Sequence, residues 1–244
     1  MGSAHALITG ASSGLGLALA RCLTGEGTVV YGVSKTRRHW REARTAVSPT
    51  GRFFLYEADL CHEESVRRVI KRIYAKAGRL DIVINSAGSA HRLTRLEDLS
   101  LKAFRTSLED NLISAFLVLK HVVPIMKKDG SGLIINISSM AEKRAVPRLG
   151  AYSAAKFGIV ALSQSLAKEN PEGDIQCITV CPAGINTRMR RELFGLKDAR
   201  NQQSPDAVAR VVLDIIKGKI IVASGGDVII RDGAAAAVMP PPPR

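Results

Sequence analysis

Apolar and polar residues follow two different periodicities along the chain. Short runs rich in Val, Ile and Leu are typical of strands buried on both faces, whereas longer stretches with an apolar residue every three or four positions are typical of amphipathic helices. The short runs predict seven strands, at residues 6–9, 28–33, 52–57, 81–85, 132–138, 174–180 and 227–230. The longer stretches predict helices at residues 15–25, 63–76, 101–128, 151–170 and 205–217.

The alternation of strands and helices predicts an α/β fold, a single-domain Rossmann-type doubly wound parallel sheet with helices on both faces. A chain of 244 residues is long enough for one such domain, which we assign to residues 1–233. Residues 234–244, rich in Ala and Pro, predict a flexible tail. Ligands of such sheets bind beyond the carboxyl ends of the strands, so functional motifs are expected at that edge.

Composition excludes some classes of function. A formal net charge of +13 suits a polyanionic ligand or a simple solvated basic surface, but only 5% of the residues are aromatic and no nucleic-acid-binding motif is present, so no nucleic-acid partner is predicted. The cysteines and histidines show no metal-ligand spacing, so no metal is predicted and the histidines are assigned no chemistry. No apolar run reaches the roughly 18 residues of a membrane span and the first residues lack a signal-peptide core, so we expect a cytoplasmic protein without membrane association.

A glycine-rich turn, Thr-Gly-Ala-Ser-Ser-Gly-Leu-Gly, follows the first predicted strand and opens the first predicted helix. Gly10 permits a tight turn, Gly14 allows a pyrophosphate to approach the backbone, and Gly16 lets the helix pack closely on the sheet. Ser12 and Ser13 add hydroxyl donors to the backbone N–H groups that attract phosphate at a helix N-terminus. Because the spacing departs from the Gly-x-Gly-x-x-Gly pattern, a purely structural turn is the alternative interpretation.

With the motifs that follow it, this turn resembles the short-chain dehydrogenase/reductase family, whose fingerprint is Thr-Gly-x-x-x-Gly-x-Gly. Six motifs appear in the family's order, and the chain resembles the 3-oxoacyl-carrier-protein reductases of that family. The resemblance implies a nicotinamide cofactor held by several separate segments. The implied contacts are Gly10, Ser12, Ser13, Gly14, Leu15, Gly16, Ser34, Lys35, Arg38, Asp59, Leu60, Asn85, Ala87, Gly88, Tyr152, Lys156, Pro182, Gly184, Ile185 and Thr187.

Two positions depart from the family pattern. Ser86 replaces the second asparagine of Asn-Asn-Ala-Gly, and Ala183 replaces the glycine that usually follows Pro182. Alanine disfavours the positive φ that glycine adopts readily, so the backbone after the sixth strand is a point to check. Gly184 is expected to compensate.

The residues after the second predicted strand indicate NADP(H) as the cofactor. A site for NAD typically places a carboxylate there, which would repel a 2′-phosphate, but this chain has Ser34. Lys35 and Arg38 supply positive charge for charge-assisted hydrogen bonds to the phosphate. A solvated basic turn is the alternative.

Tyr152 and Lys156 lie one helical turn apart, so both side chains project from one face. Reducing a carbonyl with hydride leaves an alkoxide that needs a proton, and a free tyrosine, with a pKa of about 10, delivers it slowly at neutral pH. We expect the Lys156 ammonium to lower the pKa of Tyr152 and Tyr152 to be the general acid.

The resemblance supplies two further catalytic residues. The family's catalytic serine precedes its tyrosine by thirteen residues, which implies Ser139 as the residue that polarises the carbonyl, with Ser138 as the alternative. Asn111 matches an asparagine that supports a water chain from the lysine to solvent.

The segment at residues 188–203 is predicted to be a basic flap over the substrate, and Lys143, Arg144 and Arg148 are predicted to flank the same entrance. An anionic or carrier-bound 3-oxoacyl substrate would suit these charges, and solvated surface charge is the alternative. The resemblance also implies a homodimer or homotetramer that pairs the helices at 101–128 and 151–170. An NADP(H)-binding sensor without turnover is the competing function, although it would not need the set Ser139, Tyr152 and Lys156.

Overall fold

The apolar runs form one eight-stranded sheet in a computed structural model that describes residues 3–47, 51–142 and 145–241. The strands are β1 (His5–Thr9), β2 (Val29–Ser34), β3 (Phe53–Glu57), β4 (Ile82–Asn85), β5 (Gly132–Ile137), β6 (Ile175–Pro182), β7 (Asp227–Arg231) and β8 (Ala234–Met239). The helices are α1 (Gly14–Gly25), α2 (Trp40–Ala46), α3 (Glu63–Ala77), α4 (Leu101–Leu108), α5 (Ser114–Asp129), α6 (Gly150–Lys168), α7 (Arg188–Arg200) and α8 (Pro205–Ile216).

The strand order is β3-β2-β1-β4-β5-β6-β7-β8, and every neighbouring pair is parallel except β7 with β8. The predicted single-domain, doubly wound parallel sheet is therefore confirmed. The order reverses between β1 and β4, which places the switch point where those two strands end. Within the described residues, no helix combines the length and apolar character that a membrane span requires.

Two apolar layers cover the sheet because successive side chains of a strand point to opposite faces. In β1, Ala6 and Ile8 pack with α1 and α8 on one face, while Leu7 packs with α3 and α5 on the other. Because helices cover both faces of the sheet, successive side chains of a strand are apolar on both faces. The strands therefore appear in the sequence as continuous apolar runs and not as alternating ones.

Four features differ from the sequence-based predictions. Residues 234–239, predicted to begin a flexible tail, instead form β8, which pairs antiparallel with β7. The predicted helix 101–128 is interrupted by a π-helical segment, Glu109–Ile113, between α4 and α5. The short helix α2 was not predicted, and most of the predicted flap folds as α7, with a kink at Gly195.

Gly16 is the glycine of the first turn that tolerates a side chain least. A Cβ on Gly16 would collide with the carbonyl oxygen of Gly10, whereas a Cβ on Gly25, in the last turn of the same helix, would meet open space. We therefore expect Gly16→Ala to lower the free energy of unfolding by about 1–3 kcal/mol, and Gly25→Ala to leave it unchanged or raise it by up to about 1 kcal/mol. Thermal unfolding of the two variants checks this, and equal melting temperatures would contradict it.

Candidate active site

The glycine-rich turn presents the N-terminus of α1 at the switch point. Gly10 and Gly14 have φ of +70° and +54°, a left-handed conformation that glycine adopts without strain. The Ser13 side chain makes no capping hydrogen bond to α1, so the first N–H groups of the helix are available to an anion. Leu15 and Gly16 are buried, while Ser12 is half-buried. The turn thus suits the phosphates of a dinucleotide.

Thr9 joins this turn to the loop after β4. Its Oγ1 accepts hydrogen bonds from the backbone N–H groups of Ser86 and Ala87, both at 3.0 Å. A Cβ on Gly10 would lie 3.0 Å from the Cα of Ala87, so the two loops are in close contact. These bonds explain why Ala87 and Gly88 stand beside the phosphate-binding turn. In the sequence, Thr9 was recognised only as part of the fingerprint. A hydroxyl side chain at the end of a strand could have predicted a hydrogen bond to the neighbouring loop.

Asn85 belongs to a buried chain of polar side chains across β4, β5 and α6. Its Nδ2 donates to Asn136 Oδ1 at 2.8 Å, and Asn136 Nδ2 donates to Ser163 Oγ at 2.8 Å. Sequence reasoning assigned neither Asn136 nor Ser163 a role. The chain fixes α6 against the sheet, and α6 carries the proposed catalytic residues.

The residues after β2 and β3 form the predicted 2′-phosphate region. Lys35 Nζ lies 3.0 Å from Asp59 Oδ2, and this hydrogen bond raises the pKa of Lys35. Burial acts to raise the pKa of Asp59, but the hydrogen bonds from the Cys61 N–H and from Lys35 outweigh it, so the pKa is lowered. Arg38 is exposed. Lys35 therefore shares its charge with Asp59 rather than extending freely into solvent.

The hydroxyl of Ser34 makes two hydrogen bonds within the polypeptide. Its hydroxyl donates to the Thr36 carbonyl oxygen at 3.0 Å and accepts from Trp40 Nε1 at 2.7 Å. Arg37 lies over the Trp40 ring and is paired with Glu57 at 2.8 Å. The loop after β2 is therefore held by hydrogen bonds of its own side chains and by the pairing of Arg37 with Glu57 on β3. Leu60, after β3, is buried.

Tyr152 and Lys156 project from the first turns of α6 toward the end of β5. Lys156 is 5% exposed, and its Nζ donates to the Ile137 carbonyl oxygen at 3.0 Å. The same Nζ lies 5.5 Å from the centroid of the Tyr152 ring. The Ser139 hydroxyl is hydrogen-bonded to that of Tyr152, which brings the three predicted catalytic side chains together.

The two candidate serines face different neighbours. Ser138 is buried, and its Oγ donates to the backbone carbonyl oxygen of Lys156 at 3.0 Å, so it ties β5 to α6. Ser139 Oγ accepts from the Ala141 N–H at 3.1 Å and is the hydroxyl that reaches Tyr152. This geometry favours Ser139 over Ser138 for contact with a substrate oxygen.

The pKa values in this cluster differ from the expectation for tyrosine. Burial raises the pKa of Tyr152, and the hydrogen bond with Ser139 opposes this shift without reversing it. Burial also lowers the pKa of Lys156 to about 8, because desolvation disfavours the ammonium. The expected lowering of the Tyr152 pKa by Lys156 is thus not found in the polypeptide alone, where burial raises this pKa and the hydrogen bond with Ser139 is the contribution that lowers it.

Asn111 lies in the π-helical segment, a kind of distortion that recurs at functional sites. It is fully buried, and its Nδ2 donates to the carbonyl oxygens of Ser89 at 2.8 Å and Ser107 at 2.9 Å. A Cβ on Gly88 would lie 2.5 Å from Asn111 Oδ1 and 3.7 Å from Lys156 Nζ. Asn111 and Lys156 therefore converge on Gly88.

The segment after β6 closes the site opposite the glycine turn. Ala183 has no positive φ and donates its N–H to the Ile230 carbonyl oxygen at 2.8 Å, so alanine is accommodated without strain. A Cβ on Gly184 would meet the far end of the Gln202 side chain, which would have to move to make room for it. Thr187 accepts a hydrogen bond from the Arg190 N–H at 3.3 Å at the start of α7, and its Cγ2 would lie 3.7 Å from a Cβ on Gly14.

The remaining members of this segment complete the wall of the site. Pro182 is the last residue of β6, and Ile185 pairs with Gln203 in an isolated bridge. The structure thus brings every predicted cofactor segment to the same edge of the sheet.

Some of the basic side chains of the predicted flap, residues 188–203, are paired with carboxylates of the same segment. Arg190 makes two hydrogen bonds to Asp198 and lies 3.9 Å over the Phe194 ring. Arg188 is paired with Glu192 at 2.6 Å. Arg148 is exposed, and Lys143 and Arg144 lie outside the described residues. Part of the predicted basic entrance therefore stabilises α7 internally.

The family model described as short chain dehydrogenase matches residues 4–197. The chain belongs to this family. It is 31% identical over 216 residues to the NADPH-dependent pterin aldehyde reductase of Arabidopsis thaliana, a match that covers 87% of this chain and 88% of the relative. It is 34% identical over 199 residues to the 3-ketodihydrosphingosine reductase of Bacteroides thetaiotaomicron, covering 80% of this chain and 66% of the relative.

Solved structures of similar fold match almost the whole short-chain dehydrogenase. Levodione reductase has a TM-score of 0.89 at 27% identity, covering 96% of this chain and 98% of that chain. The alcohol dehydrogenase of the archaeon Thermococcus sibiricus, complexed with 5-hydroxy-NADP, has a TM-score of 0.83 at 26% identity, covering 95% and 97%.

The lowered pKa of Lys156 predicts a pH dependence of stability for this short-chain dehydrogenase. Between about pH 8 and the usual lysine value of 10.5, the unfolded chain binds more protons at this residue than the folded chain, so this contribution to the unfolding free energy rises with pH. We compare the unfolding free energies of the wild type and of Lys156→Met. The difference, wild type minus variant, is expected to increase by about 3 kcal/mol between about pH 8 and pH 10.5. Denaturant unfolding at several pH values measures it, and parallel curves for the two proteins would show the ammonium to be well solvated.

Proposed function

We propose that this short-chain dehydrogenase is an NADPH-dependent reductase that converts a ketone or 3-oxoacyl group to a secondary alcohol, or catalyses the reverse reaction. The observation that carries the proposal is the grouping of Ser139, Tyr152 and Lys156 at the carboxyl end of β5. A hydroxyl pair beside a buried ammonium is the set that proton delivery to a carbonyl oxygen requires.

The residues present fit a nicotinamide dinucleotide. The open N-terminus of α1 suits the pyrophosphate, and the loop at Asn85–Gly88 and the segment 182–187 form the walls on either side. When bound, this cofactor supplies the hydride. Lys156, Tyr152 and Ile185 would hold the nicotinamide half, as the family resemblance implies.

The polypeptide contributes orientation and a proton. Ser139 donates a hydrogen bond to the substrate oxygen and so favours its developing negative charge. Tyr152 transfers its hydroxyl proton to that oxygen. The Lys156 ammonium, fixed by the Ile137 carbonyl oxygen, stabilises the phenolate that remains.

NADP(H) is the proposed cofactor because no carboxylate follows β2. Ser34 stands at that position, and Lys35 and Arg38 follow it as the proposed partners of the 2′-phosphate, while Arg37 between them is paired with Glu57. The name of the Arabidopsis relative states NADPH dependence, and the Thermococcus structure was determined with an NADP derivative. Both likenesses support NADP(H) as the cofactor of this proposal.

The proposed substrate carries an accessible carbonyl group, in line with the reductase names of three similar proteins. A carrier-bound 3-oxoacyl group or another anionic ketone suits the exposed cations Arg148, Arg191 and Lys197. Arg190 is not part of this proposal, since Asp198 already neutralises it.

A homodimer or homotetramer is proposed on the exposed apolar side chains near the paired helices. Ile113, Phe116 and Phe157 are 39–48% exposed although they are large and apolar. Such a surface is typical of a protein–protein contact. Cytoplasmic residence stays a prediction from the sequence.

Replacing the phenol tests the chemistry directly. Tyr152→Phe removes one hydroxyl and keeps the ring, so we expect kcat to fall by at least about a hundredfold while NADPH still binds. The measurement is the loss of NADPH absorbance with a panel of ketones, together with fluorescence titration of NADPH. Ser139→Ala is expected to lower kcat similarly, and Ser138→Ala is the matched control, expected mainly to lower stability.

Two results would contradict the reductase. Full activity in Tyr152→Phe would exclude the proposed general acid. NADPH binding without turnover of any ketone or alcohol by the wild type would favour the alternative, an NADP(H) sensor.

Cofactor preference is tested at the loop after β2. We expect Lys35→Ala combined with Arg38→Ala to raise the KM for NADPH by about tenfold or more, because each charge-assisted hydrogen bond contributes about 1.5–3 kcal/mol. The KM for NADH should change little, since NADH has no 2′-phosphate. Arg41→Ala, an exposed arginine on α2, is the control. Equal changes for the two nucleotides would assign the cations another role.

A further inference from the structure

Strand β3 stands at one end of the strand order, with β2 as its neighbour among the described strands. The Arg52 carbonyl oxygen accepts a hydrogen bond from the Val30 N–H at 2.7 Å, and the Ala58 N–H donates to the Ser34 carbonyl oxygen at 3.0 Å. The backbone groups that a strand directs to one neighbour belong to alternate residues. The even-numbered residues of β3 therefore direct their backbone groups toward β2.

The odd-numbered residues direct their backbone groups away from the sheet. They are Phe53, Leu55 and Glu57, and each presents one N–H and one C=O at the open edge. Within the described ranges, no hydrogen bond satisfies these N–H groups. Phe53 and Leu55 are also half-buried rather than covered. An edge of this kind is a template for a further strand.

Exposed cations border this edge on the face that α3 covers. Lys76 Nζ lies 3.7 Å from the centroid of the Phe54 ring, and the guanidinium carbon of Arg72 lies 5.3 Å from that of Tyr56. Both cations belong to α3 and are exposed. In the part of the chain that the structure describes, neither is paired with a carboxylate. The α3 face of the edge therefore offers two positive charges to an anionic ligand.

The opposite face of the edge is apolar. Phe53 packs there against the core layer of α1 and α8. Leu55 lies on the same face, since both side chains come within 3.1 Å of the position of a Cβ on Gly32. Side chains of an added strand would alternate between the two faces. Every second side chain would thus meet the cations, and the others would meet half-buried apolar surface.

We propose that the open edge of β3 binds an extended segment of a partner protein in which acidic and apolar residues alternate. The segment adds a strand to the sheet, and its backbone pairs with the outward groups of Phe53, Leu55 and Glu57. Its acidic side chains contact Arg72 and Lys76, and its apolar side chains cover the opposite face. This partner site goes beyond the reductase function and does not depend on it.

Charge disfavours a second copy of this chain at the same edge. Antiparallel pairing of two β3 strands would place both α3 helices on one face of the joined sheet and bring Arg72 and Lys76 of the two copies together. Like charges brought together in this way repel. Glu57, the acidic residue of β3, does not offset them, because it is paired with Arg37 at 2.8 Å. A negatively charged strand is therefore the better complement.

The test uses the full-length protein and the peptide Glu-Val-Glu-Val-Glu-Val, acetylated and amidated at its ends, in a calorimetric titration. We expect saturable binding whose affinity falls at least about tenfold in Arg72→Glu combined with Lys76→Glu, and falls as salt is added. The matched control is Arg210→Glu combined with Arg231→Glu, which changes the net charge equally. These exposed arginines lie on α8 and at the end of β7, far from β3 in the strand order, so the affinity should not change.

Two further measurements separate strand addition from simple attraction of charge. Residue-resolved hydrogen exchange should show that the peptide protects the amides of Phe53, Leu55 and Glu57, whereas those of Phe54 and Tyr56, which face β2, change little. Leu55→Pro removes one outward N–H without breaking a hydrogen bond to β2, so the affinity should fall at least about tenfold. Circular dichroism checks that this variant is folded.

Three results would overturn the proposal. The first is equal affinity of the wild type and the charge-reversed α3 variant, or no added protection of the outward amides. The second is equal binding of Glu-Pro-Glu-Pro-Glu-Pro, which cannot pair as a strand and would show a site for any polyanion. The third is protection that rises with protein concentration in the absence of peptide, which would identify a second copy as the occupant. Ketone reduction should be the same in all the charge-reversed variants, so none of these results bears on the proposed reductase.

Discussion

The site depends on one buried cation. Lys156 is almost completely enclosed between α6 and β5, where an ammonium is costly unless oxygen atoms surround it. The Ile137 carbonyl oxygen, at the last residue of β5, supplies one such contact. Burial gives this lysine a pKa of about 8, so it can lose and regain a proton near neutral pH, which a solvated lysine cannot. The position of Tyr152, one helical turn earlier, follows from the position of Lys156.

Holding that cation in place requires α6 to be fixed against the sheet, and the structure does this with polar side chains rather than with apolar packing alone. Asn136 bridges from Asn85 on β4 to Ser163 on α6, and Ser138 bonds the backbone of Lys156 itself. Thr9 performs the same task at the neighbouring strand end, where it holds the loop after β4. Buried hydrogen bonds of this kind are directional, so they specify one register between helix and strand where apolar contacts would tolerate several.

The sequence predicted those features of the structure that depend on residues close together in the chain. Seven strands, the glycine turn and the Tyr152–Lys156 spacing were visible because periodicity and backbone freedom depend on neighbours in sequence. The π-helical segment at Glu109–Ile113 was missed because the helical periodicity continues on both sides of it, and the wider backbone hydrogen bonds that define a π-turn leave no mark in the sequence. Strand β8 was missed because its alanines have low strand propensity, and pairing with β7 is what orders them. The pKa of Tyr152 could not be read from the sequence either, since it is set by desolvation.

The effect of the basic residues on an anionic ligand depends on which of them are paired with carboxylates. Arg37 and Arg190 are each paired with a carboxylate, so these two arginines add little to the positive field at the proposed cofactor and substrate entrances. Lys35 is a different case, because its ammonium has three donors and uses one on Asp59. It can keep that bond while donating another to a phosphate. Asp59 would then orient Lys35 in advance, at the cost of part of its attraction for the anion. A preference for NADP(H) built this way would depend on geometry more than on net charge, and Arg38, which is exposed, would supply the longer-range attraction.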